Sequence, residues 1–163
     1  MQLGGGADLA EAAVSLLRGA LPGLAQLGQI TALSALYESR AVGPAQPDYL
    51  NGAVRLTTSL EPLALLQAQL EIERAAGRVR RERWGPRTLD VDLLLIAGHR
   101  VQQPGLVVPH RELTRRAFAL FPLLDVMPEA QDPLTLLPYS ELALALDRTE
   151  VRELPNSRAG WLE

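Results

Sequence analysis

The chain has 163 residues, 47% hydrophobic and 21% charged, a balance that suits one globular domain with a sizeable core. Its formal charge of −3 offers no global positive field to nucleic acid. With no cysteine there is no disulfide or thiolate chemistry, and no apolar run approaches the ~18 residues of a membrane span. All 16 basic residues are arginine, which rules out a Walker A lysine and a lysine Schiff base, so any phosphate grip falls to arginine, histidine, backbone N–H groups or metal.

Helix and strand signals alternate along the chain. After a short Leu3–Gly6 segment, Asp8 is placed to cap a helix carrying Leu9, Ala13, Leu16, Leu17 and Leu21, which Pro22-Gly23 ends. Gln29–Glu38 reads as one strand, and Ser39–Asp48, with Gly43, Pro44 and Pro47, as a loop. Leu50–Thr58 alternates, with Asn51, Ala53, Arg55 and Thr57 on its polar face. Ser59 is a candidate N-cap for a helix with Pro62 in its first turn, Leu63, Leu66, Leu70 and Glu73 along it, and Gly77 as its stop.

Leu89–Ala97 is a strong strand, Ala97-Gly98-His99 a turn toward a second strand near Val101, and Arg111–Ala119 a helix. His99 reads as a surface residue. The pattern predicts a single α+β domain over residues 1–163 with a largely antiparallel sheet. The start, Met1–Gly6, lacks the features of a signal peptide, and a cytoplasmic protein is expected.

The chemistry concentrates between Arg78 and Leu95. Arg78, Arg80, Arg81, Arg83 and Arg87 precede Asp90 and Asp92, which lie two apart on a strand and so project from one face. Such carboxylates repel unless a cation lies between them, and magnesium takes one or two carboxylates plus substrate phosphates. Taken alone, Asp-x-Asp is more often a solvated strand face, and an arginine run a solvated loop. Their adjacency, across the Trp84-Gly85-Pro86 turn, favours a polyphosphate site. His110 heads a second basic cluster with Arg111, Arg115 and Arg116. Tyr49, Trp84 and Phe118 could stack on a flat ring, and Asn51 could read its edge, though ordinary packing explains aromatics equally well.

The run Arg83-Trp84-Gly85-Pro86-Arg87-Thr88-Leu89-Asp90-Val91-Asp92-Leu93-Leu94 resembles the signature of the 6-hydroxymethyl-7,8-dihydropterin pyrophosphokinase family of folate biosynthesis. Gln46–Asn51, Glu73 with Gly77-Arg78, Val108-Pro109-His110 and Arg116–Leu120 are similar to flanking segments. In the family's Gly-Ser-Asn-Leu stretch this chain has Leu3–Leu9, with Gly6 as the equivalent glycine, and Ser39-Arg40 replaces a common Thr-Pro.

The resemblance implies a three-layer α/β/α fold with a ferredoxin-like core, and transfer of pyrophosphate from ATP to the pterin hydroxymethyl group with release of AMP. It implies two Mg2+ on Asp90 and Asp92, with Arg78, Arg87 and Asp92 catalytic. Glu73, Arg78, Trp84, Arg87, His110 and Arg116 would bind ATP. Gly6, Ser39, Val42, Tyr49, Asn51, Trp84, Asp90 and Phe118 would bind the pterin. The expected partners are these small molecules, with no nucleic acid and no membrane, and the protein is expected to be a monomer. The competing readings are another Mg-dependent nucleotide transferase with a flat heterocyclic acceptor, and an RNA-binding module.

Overall fold

The structure, a computed structural model, describes residues 10–16, 21–39, 49–81, 90–155 and 157. Its main sheet is antiparallel. β4 (Tyr49–Thr58) pairs along one edge with β1 (Ala10–Leu16), which pairs in turn with β5 (Val91–Ile96). The other edge of β4 is shared by β2 (Gln29–Leu33) and β3 (Tyr37–Ser39), and β8 (Val151–Glu153) closes the sheet beyond β3. β6 (Val101–Gln103) and β7 (Leu106–Val108) form a separate hairpin.

Both faces of the sheet are covered, as a three-layer α+β fold requires. On one face, α1 (Leu21–Ala25) and α2 (Pro62–Arg81) pack Leu24 and Leu65 on Val54, Leu56, Val91 and Leu93. On the other, α3 (Ala117–Val126) and α4 (Tyr139–Leu142) pack Leu120, Leu123 and Tyr139 on Tyr37, Ala53, Leu94 and Leu95. The switch from Leu93 on one side to Leu94 and Leu95 on the other accompanies a register shift in the β1–β5 ladder between Ala13 and Val14.

Several expected elements are corrected. The helix predicted after Asp8 is strand β1 over Ala10–Leu16, because Val14 pairs on both sides, with Val54 and Leu93, and two-sided pairing overrides the helix preference of its Ala, Glu and Leu residues. Pro22-Gly23 lies inside α1 instead of ending a helix.

The single strand predicted over Gln29–Glu38 breaks at Ser34-Ala35-Leu36, and the groups that leave the ladder are bonded elsewhere. Ser34 Oγ accepts the Ala53 N–H at 2.8 Å, Asp125 Oδ2 accepts the Ala35 N–H at 3.0 Å, and Ser157 Oγ accepts the Leu36 N–H at 2.7 Å. The polar face expected on β4 lies under α3, so Asn51 and Ala53 are buried, and Arg55 donates to the Val126 carbonyl at the C-terminal end of α3.

Thr58, not Ser59, bonds the chain entering α2, its hydroxyl accepting the Leu60 N–H at 3.1 Å. Gly77 does not stop α2, which runs on to Arg81 and so sets Arg78, Arg80 and Arg81 in its last turn, where cations offset the helix dipole. The helix predicted over Arg111–Ala119 is a 3-10 turn at Leu113–Arg115 followed by α3. His99 is half-buried and bridges to Ile96.

The turn into β2 needs a glycine. A Cβ on Gly28 would lie 2.1 Å from the Thr57 carbonyl oxygen, an approach that backbone cannot yield. Gly28→Ala is therefore expected to cost about 3 kcal/mol and to lower Tm by roughly 6–12 °C in thermal denaturation. A shift under 2 °C would refute that packing.

Candidate active site

The centre of the site is the first turn of β5. Asp90 lies exposed just before the strand, Asp92 is half-buried within it, and Val91 between them has no exposure. The predicted division therefore holds, with Val91 and Leu93 in the core. β5 is an edge strand, so its outer backbone groups need partners from elsewhere. α2 supplies two from one face. Glu73 Oε1 accepts the Val91 N–H at 2.6 Å, and Gln69 Nε2 donates to the Val91 carbonyl at 2.8 Å. The His110 N–H closes the edge further along, donating to the Leu94 carbonyl at 2.9 Å.

Burial pushes the Glu73 carboxyl above its ordinary range. The Val91 N–H pulls it back, and the charges of Asp90 and Asp92 push it further up. Glu73, expected on the nucleotide side, is thus bonded directly to the backbone of β5.

A cleft of about 410 Å³ opens beside this strand, lined by Leu66, Gln69, Asp92, Leu106, His110 and Arg111 among others. Asp92 and His110, far apart in sequence, meet there. His110 Nδ1 accepts the Glu112 N–H at 3.1 Å, which leaves Nε2 to carry the proton of the neutral ring as a donor. A cis Val108–Pro109 bond precedes it.

A second cavity, about 540 Å³, is lined by Ser39, Phe118, Thr149, Glu150 and Val151. Asn51 stands behind Ser39. Its Nδ2 donates to Ser39 Oγ at 2.7 Å and to the Tyr37 carbonyl at 3.2 Å, so the nitrogen expected to read a ring edge ties β3 to β4. Arg116 places its guanidinium 5.7 Å from the centre of the Phe118 ring, a cation–π contact beside this cavity. Another cavity, about 510 Å³, lies past the far end of β5 against Leu95, Ala97, Met127 and Leu136, and holds none of the predicted site residues.

Gly6, Val42, Trp84 and Arg87 fall outside the described residues. Tyr49 and Arg78 are described only as backbone, in β4 and α2. Sequence reasoning missed Gln69, Asp125 and the wall formed by Thr149–Val151. Gln69 had a signal: it is polar at the position between Leu65 and Ile72, on the apolar stripe of α2.

Residues 2–128 match the family described as 7,8-dihydro-6-hydroxymethylpterin-pyrophosphokinase (HPPK). The chain belongs to this family. Among relatives of this pyrophosphokinase family, the 2-amino-4-hydroxy-6-hydroxymethyldihydropteridine pyrophosphokinase of Synechocystis sp. is 42% identical over 137 residues, 83% of this chain and 70% of that protein. The Haemophilus influenzae protein of the same name is 37% identical over 136 residues, 82% of each chain. The solved Plasmodium falciparum HPPK-DHPS wild type with pterin and p-hydroxybenzoate shares the fold at a TM-score of 0.62 and 12% identity. The match covers 89% of this chain and 45% of that one, so the chain spans about half the length of that larger protein.

Proposed function

We propose that this member of the pyrophosphokinase family transfers the pyrophosphoryl group of ATP, as a unit, to the hydroxymethyl oxygen of 6-hydroxymethyl-7,8-dihydropterin, releasing AMP. The observation that carries this reading is the convergence of Asp92 and His110 on one cleft beside a strand whose edge is bonded by Glu73 and Gln69. The carboxylates of Asp90 and Asp92 are hard oxygen donors from one strand, which fits two magnesium ions shared with the triphosphate. When bound, magnesium supplies charge neutralisation along the breaking bridge.

The chain's own residues do the rest. His110 Nε2–H, with Arg78, Arg87 and Arg116, would hold phosphate oxygens, Trp84 would close over the substrates, and Glu73 would fix the metal strand from behind. Asp92 would accept the hydroxymethyl proton. Gly6, Ser39, Val42, Tyr49, Asn51 and Phe118 would hold the pterin, with Asn51 acting partly through Ser39. We read residues 1–163 as one domain working as a cytoplasmic monomer. Among the described residues no helix is long and apolar enough to cross a membrane. The RNA-binding and other-acceptor readings are not favoured by the family membership.

The test is the nucleotide product formed in magnesium buffer with and without the pterin. Pterin-dependent AMP is expected. ADP would mean transfer of a single phosphoryl group and would overturn the reading.

A further inference from the structure

Gln69 is an expensive residue where it stands. Its side chain is 6% exposed on the face of α2 that packs on the sheet, and its Oε1 is buried with no hydrogen-bond partner among the described residues. The amide orientation is fixed by chemistry, because only the NH2 end can donate to the Val91 carbonyl at 2.8 Å. An apolar side chain of the same size would avoid the desolvated acceptor. What Gln69 gives in return is the second half of a grip. With Glu73 one helical turn on, it holds both polar groups of Val91, the residue whose two peptide bonds lead to Asp90 and Asp92. Losing the Gln69 bond would leave the outer edge of the strand at Val91 held through its N–H alone, with β1 still pairing the inner edge, and would loosen the aim of the two flanking carboxylates.

We propose that Gln69 is a positioning residue for the metal-binding carboxylates, acting through the Val91 backbone. The inference rests on the reading of Asp90 and Asp92 as magnesium ligands. Groups that orient ligands in this indirect way commonly carry a tenfold or larger share of metal affinity.

The test measures Mn2+ binding directly, by electron paramagnetic resonance titration, in the presence of α,β-methylene-ATP, whose bridge cannot be cleaved. Wild type, Gln69→Met, Leu65→Val and Asp92→Asn are compared, with Tm measured for each. Leu65 is buried on the same helix, one turn before Gln69, and its truncation loosens packing while leaving both hydrogen bonds to the Val91 backbone in place. The expected result is an Mn2+ Kd raised about tenfold in Gln69→Met, and unchanged in Leu65→Val although its Tm falls. An unchanged Kd in Gln69→Met would overturn the proposal. So would Kd values in Gln69→Met and Leu65→Val that simply track their losses in Tm. Wild type that binds no Mn2+, or binds it as well after Asp92→Asn, would sink the metal reading and this inference with it. Wild-type binding that depends on Asp92 but ignores position 69 would sink this inference alone.

Discussion

Asp92→Ala is expected to lower pterin-dependent AMP formation on the order of 10³-fold, about 4 kcal/mol of transition-state stabilisation. Asp92 faces the same cleft as His110, and the β5 backbone is bonded on both sides of it, so its carboxylate is held in place there. The fold should not suffer. Asp92 and Asp90 both press the Glu73 carboxyl upward, so removing one charge relieves crowding. The variant should melt no lower than wild type, which separates lost chemistry from lost structure. An activity loss under tenfold would mean that Asp92 is a bystander.

The second large effect is expected from Asp125→Ala, and it falls on stability. A single oxygen, Oδ2, accepts from the Ala35 N–H at 3.0 Å and from the Tyr37 hydroxyl at 2.9 Å. Both donors sit in the core face under α3, where burial and the Asp125 bond push the Tyr37 hydroxyl well above its ordinary range, so it remains a donor at any working pH. Truncation strands both donors and should cost about 4 kcal/mol, or roughly 8–16 °C in Tm. Asp125→Asn can offer its carbonyl oxygen to the same two donors and should lose only about 1 kcal/mol. Equal losses in the two variants, read by denaturant titration, would show that the charge and not the acceptor geometry matters.

The candidate site residues were easier to see in the sequence than the strands that carry them. Asp90 and Asp92 announced themselves through strand periodicity and the arginines before them, and His110 through its basic company. The three-layer α+β architecture followed from alternating signals and from the family resemblance. The errors fell where long-range pairing decides. Nothing local in Ala10–Leu16 says that strands wait on both sides. Nothing in Gln29–Glu38 says that Ser34, Asp125 and Ser157 together replace three residues of ladder. Gly77 looked like a helix stop because glycine usually is one, yet the arginines beyond it continue the helix and suit its negative end. Asn51 looked exposed because strand alternation cannot reveal a helix packed on the second face.

The last strand has a consequence for the chain as an evolutionary object. β8 pairs along β3, Leu154 donates to the Leu36 carbonyl at 2.8 Å, and Ser157 takes the Leu36 N–H, all from beyond the stretch shared with the family profile at residue 128. A fragment cut at that boundary would keep all the residues assigned a catalytic role, yet present β3 as a bare ribbon to any passing copy. The tail thus works as a molecular selvedge. Besides walling the cavity at Ser39 and Phe118, it covers the edge of a sheet that neighbouring copies could otherwise extend.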